Sequence, residues 1–206
     1  MPEATASLWA PRSAWAGYAR PGRHGRAQGE AGIRLTPRDG IALATIVAAD
    51  GREEALRAIL SERYGWELPP PGRAHLSGEG GLVWSAPGQW LAMAGTRDAL
   101  RELPGLLRPV AAVTDQSDGR AVVRVSGPRA RTLMEKGVAV DLHPRVFGKG
   151  SAAVTAIAHI GVQFWQRDDE PVYDLAVARS FAGSVWSWLT EAAAEFGYEV
   201  EAAPCP

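Results

Sequence analysis

Two stretches decide the fold. Asp115–Met134 reads D-Q-S-D-G-R-A-V-V-R-V-S-G-P-R-A-R-T-L-M, and Val172–Gly197 reads V-Y-D-L-A-V-A-R-S-F-A-G-S-V-W-S-W-L-T-E-A-A-A-E-F-G. In the first, Ala121 to Val125 predicts a strand, because Val122/Arg124 and Val123/Val125 fall on opposite faces. Gly127-Pro128 then opens a helix, since a proline in the first turn lacks only an N–H that would be orphaned there anyway. That helix carries Ala130, Leu133 and Met134 and ends at Gly137. In the second stretch, Val172 to Val177 predicts a strand. Ser180 is placed to cap a helix whose stripe is Phe181, Val185, Trp188, Leu189, Ala192 and Phe196, at spacings of three and four. Ala153 to Ile160 and Val162 to Gln166 predict two strands in between, and Tyr198 to Val200 a returning edge strand.

Working outward, the preceding segment has a similar order. Ile41 to Ala48 is a continuous apolar run and predicts a buried strand. Asp50-x-x-Glu53 has the spacing of a capping box. The helix behind it carries Leu56, Ile59, Leu60 and Tyr64 and ends at Gly65. Gly81–Ser85 and Gln89–Met93 predict a hairpin turning at Pro87-Gly88, with a loop longer than two residues. Thr96 is placed to cap a helix carrying Leu100, Leu103 and Leu107, with Pro104 breaking or ending it. Val110 to Thr114 predicts the closing strand. The order β-α-β-β-α-β is ferredoxin-like. Residues 1–38 read as an extended arm: the eight glycines and prolines from Pro11 to Pro37 interrupt any period, while Trp9, Trp15 and Tyr18 are interspersed with arginines. The expected division is an arm over 1–38, a first α+β half over 39–114, and a second half over 115–206 with a Trp-rich terminal helix.

Composition narrows the function classes. The chain has 206 residues and 46% apolar content, enough for an ordinary globular core. Its net charge of −1 gives no general field for nucleic acid or an anionic membrane. No apolar run is long enough to span a bilayer, and Met1–Ala10 lacks the charged and greasy regions of a secretory signal, so the expected compartment is cytoplasmic. The single cysteine, Cys205, can form neither an internal disulfide nor a thiolate cluster.

Candidate chemistry is sparse. His24, His75, His143 and His159 share no metal-ligand spacing with one another or with Cys205. The run Asp168-Asp169-Glu170 lies between two predicted strands and reads as a solvated hairpin loop. Asp115 and Asp118 flank a polar turn and suit Asx-type hydrogen bonds. Gly78–Gly81 precedes a strand rather than a helix, and Ser126-Gly127-Pro128 lacks the further glycines or the Lys-Ser/Thr of a phosphate loop. Neither piece reads as a flavin, nicotinamide or nucleotide site. There is no G-x-S-x-G elbow. The reading assigns no catalytic, cofactor-binding or metal-ligating residue. Trp186 and Trp188 point about 200° apart on a helix. With Trp188 inside, Trp186 is either an interface anchor or packs on the rest of the chain.

The motif order from Asp115 to Phe196 resembles the gamma subunit family of heterotetrameric sarcosine oxidase. D-Q-S followed by V-x-V-S-G-P-x-A-x-x-L, and the hairpin Ile157 to Trp165, are similar to the folate-binding aminomethyltransferase fold. The resemblance implies an α+β fold of two ferredoxin-like αβ sandwich halves. In the enzymes of that fold, a strand at this place offers a carboxylate to the folate pterin. Here it reads Gly161-Val162-Gln163-Phe164-Trp165, without an acid. The resemblance therefore implies a non-catalytic structural subunit without cofactors of its own. Its partners would be the alpha, beta and delta subunits, which would carry FAD, FMN, NAD, tetrahydrofolate and zinc. The assembly would convert sarcosine, oxygen and tetrahydrofolate to glycine, hydrogen peroxide and 5,10-methylenetetrahydrofolate. Two alternatives stand beside it: a stand-alone aminomethyltransferase-type one-carbon enzyme, and the equivalent subunit of an N-methyl amino-acid dehydrogenase.

Overall fold

Strand alternation sorts the apolar residues into three cores. In the computed structural model, which describes residues 12–202, Ala121, Val123 and Val125 enter one core while Val122, between them, enters another. The N-terminal segment contributes β1 (Gly22–His24) and β2 (Ile33–Pro37). The first half then runs β3 (Ala42–Ala48), α1 (Glu53–Tyr64), β4 (Ala74–Ser77), β5 (Gly80–Ala86), β6 (Gln89–Ala94), α2 (Leu103–Leu107) and β7 (Ala111–Asp115). The second runs β8 (Arg120–Ser126), α3 (Ala130–Glu135), β9 (Ala152–Ile157), β10 (Ile160–Gln166), β11 (Tyr173–Ala178), α4 (Ala182–Ala193) and β12 (Tyr198–Val200).

The two halves share one element order, β-α-β-β-β-α-β. Their strands build a five-stranded sheet, β4-β5-β6-β3-β7, and a seven-stranded sheet, β1-β12-β2-β8-β11-β10-β9. Without β1, β2 and the outer strands β4 and β9, each sheet keeps the ferredoxin-like arrangement, with its first strand between its third and its last. One core packs α1 and α2 on the five-stranded sheet, and another packs α3 and α4 on the seven-stranded sheet. The third lies between the sheets: Leu43, Val83, Leu91 and Met93 meet Val122, Ala152, Trp165 and Ala176. The layers run helices, sheet, sheet, helices. The sheets are also stitched at one corner, where Arg73 bridges Ser151.

Several expectations change in the structure. Residues 22–24 and 33–37 are strands rather than arm, and β2 sits inside the seven-stranded sheet, antiparallel to β8 and parallel to β12. The I-R-L-T-P run alternates correctly, but Gly32 and Pro37 frame it so tightly that turn signals mask it. Trp9 lies outside the described residues. Trp15 is 1% exposed, and its indole N–H donates to the Val122 carbonyl at 3.0 Å. β12 is not an edge, because β1 covers its outer side. β4 closes a hairpin on β5 through Gly78-Glu79 and was not legible beforehand. The Pro87-Gly88 loop has two residues, because a bulge between Trp84 and Ala86 supplies the twist expected of a longer one.

The helix starts differ too. α1 has Arg52 at its N-cap with no side-chain cap bond, so the Asp50/Glu53 box does not form. Gly51, at φ 68°, turns the chain before the helix and carries Asp50 away. Thr96 makes no cap bond either; the helix predicted there is a 3-10 turn, Arg97–Leu100, then α2 with Pro104 in its first turn. Gly65 ends α1 in the left-handed region at φ 65°, as its position predicts. On α4 the stripe is rotated: Trp186 is buried and Trp188 half-buried. Trp186 meets Trp15 with ring centroids 5.5 Å apart, so it packs within the chain. Trp188 lies over Gly137, where any side chain would collide with its ring.

Candidate functional site

The predicted candidates do not converge. His24 stacks on Tyr198 and bonds the Arg20 carbonyl at 2.8 Å. His75 lies 3.6 Å from Glu67 at a surface strand. His143 accepts from the Arg145 amide, and His159 sits in the Ala158-His159 turn, both residues at positive φ. Asp168 and Asp169 are exposed and face Lys149 at 3.4 and 4.0 Å. Asp115 makes the Asx-type bond expected of it, accepting from the Ser117 amide at 2.8 Å. Bonds from Ser117 hold the Asp115 carboxyl below the usual carboxylate range. Asp118 pairs with Arg97, and that hydrogen bond lowers its pKa in the same way. Among the described residues no three His, Cys, Asp or Glu side chains group as a metal site would require.

The Ser126-Gly127-Pro128 turn shows why its glycine is needed. Gly127 has φ 105°, and a Cβ there would run into the Gly32 carbonyl. The Arg129 amide, which a phosphate cradle would aim at a ligand, donates to that carbonyl at 3.0 Å. The turn joins β8 to the strand β2 beside it. An open cavity of about 760 Å³ adjoins this turn. Arg26, Arg34 and Arg129 line it together with Glu30 and Glu195, so its charges are mixed.

What the structure does assemble is the inner face of the seven-stranded sheet, the face turned towards its partner sheet. Registers place its residues in rows across β9, β10, β11 and β8. One row is Ala152–Trp165–Asp174–Arg124 and the next is Val154–Gln163–Ala176–Val122. In the first row Asp174, 1% exposed, receives two bonds from Arg124, at 2.7 and 3.0 Å, with Arg167 at 3.7 Å. The Asp174 bond raises the Arg124 pKa. Glu79, paired with Arg38, lies near enough to feel the charges of Arg167 and Arg124. Burial pushes the Glu79 carboxyl up, but the Arg38 bond and the charges of Arg38, Arg167 and Arg124 outweigh it and hold the group low. The pair was missed in the sequence, where Asp174 stands as the one acid in an apolar strand opposite an arginine.

Gln163 occupies the strand where the aminomethyltransferase enzymes are expected to present an acid. Its amide is committed: Nε2 donates to the Trp84 carbonyl and to Ser85 Oγ, both at 2.9 Å, and Oε1 accepts from Arg120 at 3.4 Å. A neutral amide tied to the other sheet offers no carboxylate to a pterin, so the residues present do not fit that role. Its bonds instead fasten β10 to β5 across the middle of the molecule.

This geometry has relatives. The family described as sarcosine oxidase, gamma subunit family, matches residues 48–195. The chain belongs to this family. A sarcosine oxidase subunit gamma from Corynebacterium sp. (strain P-1) is 36% identical over 146 residues, which is 69% of this chain and 71% of that one. One from Arthrobacter sp. is 33% identical over 143 residues, covering 68% and 70%. Among solved structures, a chain of the heterotetrameric sarcosine oxidase from Corynebacterium sp. U-96, in complex with pyrrole 2-carboxylate, superposes with a TM-score of 0.78 at 29% identity, covering 90% of this chain and 96% of that one. The glycine cleavage system aminomethyltransferase T from Bartonella henselae superposes at 0.56 with 12% identity, covering 82% of this chain and 48% of the enzyme. That likeness is one of fold. It agrees with the two-sheet α+β architecture, while the sarcosine oxidase gamma subunit family supplies the functional frame.

Proposed function

We propose that this chain is a non-catalytic structural subunit of a heterotetrameric sarcosine oxidase, acting by holding partner subunits in place. Membership of the gamma subunit family carries this reading. The commitment of Gln163 to Trp84, Ser85 and Arg120 favours it over a stand-alone one-carbon enzyme, because the strand that would act on a pterin serves as an internal tie. Alpha, beta and delta subunits would complete the assembly and hold its FAD, FMN, NAD, tetrahydrofolate and zinc. Together they would oxidise sarcosine to glycine in the cytoplasm, yielding hydrogen peroxide and 5,10-methylenetetrahydrofolate. Each half, 39–114 and 115–206, would contribute its outer helix layer to contacts of this kind. Co-expression of a tagged chain with alpha and beta subunits tests the reading. Co-purification of a flavin-coloured complex that makes peroxide from sarcosine is the expected result. A chain that recovers no partner, or that turns over sarcosine alone, would reject it.

A further inference from the structure

A third row on the same inner face is unlike the other two. Ala156 pairs with Gly161, Ala178 pairs with Arg120, and the register of β10 on β11 brings Gly161 beside Ala178. Where the neighbouring rows bury Trp165, Asp174, Gln163, Ala176 and Val122, this one does not: Ala156, Gly161 and Ala178 are exposed, as is Val154 at the β9 end of the next row, at 55%. A Cβ added at Gly161 would meet nothing within 4 Å. The shelf crosses three strand spacings, about 14 Å. Methyl groups and backbone form it, with a guanidinium at its end.

That guanidinium is out of place. Arg120 is half-buried, and no carboxylate among the described residues lies within ion-pair distance of it. Its only side-chain hydrogen bond among them is the 3.4 Å contact to neutral Gln163. Burial lowers its pKa with no opposing charge. Arg124, two rows away on the same strand, has a carboxylate and two bonds. A cation held partly out of water without a counter-charge favours an anionic partner, and a guanidinium suits a carboxylate's two oxygens.

We propose that the row Ala156–Gly161–Ala178–Arg120 docks a segment of a partner subunit that is apolar and uncharged except for one aspartate or glutamate placed on Arg120. The inference rests on the subunit reading above and names a face for it. Small residues let a partner backbone approach closely, and the ion pair fixes its register. A docked segment covering the row would exclude water from the pair and leave it less screened by salt than a rim contact.

The test uses the full chain, tagged and co-expressed with alpha and beta subunits. Arg120→Glu and Gly161→Trp are each expected to cut the recovered partner by roughly ten-fold or more, as for a central interface residue. Arg120→Lys should retain part of it. Gly161→Trp is the cleaner variant, since it adds bulk into open space at an ordinary backbone angle, and its thermal midpoint as an isolated chain should match wild type. A lysine scan of partner acids should restore binding to Arg120→Glu at one position. Undiminished assembly of both variants would overturn the proposal. So would a wild-type chain that forms a dimer broken by Gly161→Trp, which would assign the face to a second copy. Stabilisation of the wild type but not Arg120→Glu by acetate, with assembly unaffected in both, would assign it to a small carboxylate. A wild-type chain that recovers no partner would remove the subunit reading itself.

Discussion

Trp15 shows how much a single side chain can decide here. It comes from the segment before the two halves, is buried, touches Trp186 on α4, and donates to the carbonyl of Val122 in β8. Trp15→Ala is expected to destabilise the chain by about 3–5 kcal/mol, from cavity formation and the lost indole hydrogen bond. Chemical denaturation followed by fluorescence checks this. Asp174 is the second such residue: Asp174→Ala strands the partly buried Arg124 and is expected to cost about 3–5 kcal/mol. Glu79 is more exposed and acts mainly through pH. Its folded pKa lies below the unfolded value, so its contribution is present above the ordinary carboxylate range and lost as pH falls through the folded value. Glu79→Gln should therefore flatten the fall of the thermal midpoint on acidification below about pH 4.5. None of these three roles could be read from the sequence, because each depends on a partner 40 or more positions away.

Most elements were legible where local chemistry is sufficient. The Gly65 helix end and the alternating β8 lie where their residues predict, whereas α3 starts at Ala130 with Arg129 at its N-cap, so Pro128 stands before the helix and not in its first turn. The two N-terminal strands were not legible, since β2 gains its identity from β8 and β12, which are remote in sequence. The candidate site divides in the same way: the missing acid at Gln163 was visible in the sequence, whereas the ties that occupy its amide appear only once β5 and β10 meet. Deleting residues 1–38 should strip β2 from the interior of the sheet, leave the β8 edge bare, and unfold the second half instead of trimming an appendage. Circular dichroism and solubility of the truncated chain provide the readout. Retention of the full thermal transition would contradict the assignment of β2 as an inner strand. Gly65→Ala should cost roughly 1 kcal/mol, because an alanine at φ 65° is strained.

The whole molecule is a four-layer sandwich in which two similar halves meet through their sheets. Its centre is filled by apolar side chains, the Gln163 tie and the Asp174 ion pair. Gln163 holds one sheet to the other, the Asp174 pair ties β11 to β8 within its own sheet, and the remaining exposed inner row offers a surface. The most direct test compares the purified chain with the same chain co-expressed with alpha and beta subunits, by flavin absorbance and sarcosine-dependent peroxide release. A colourless, inactive chain that becomes part of a coloured, active complex is the predicted result. Flavin absorbance together with sarcosine turnover in the isolated chain would contradict the account.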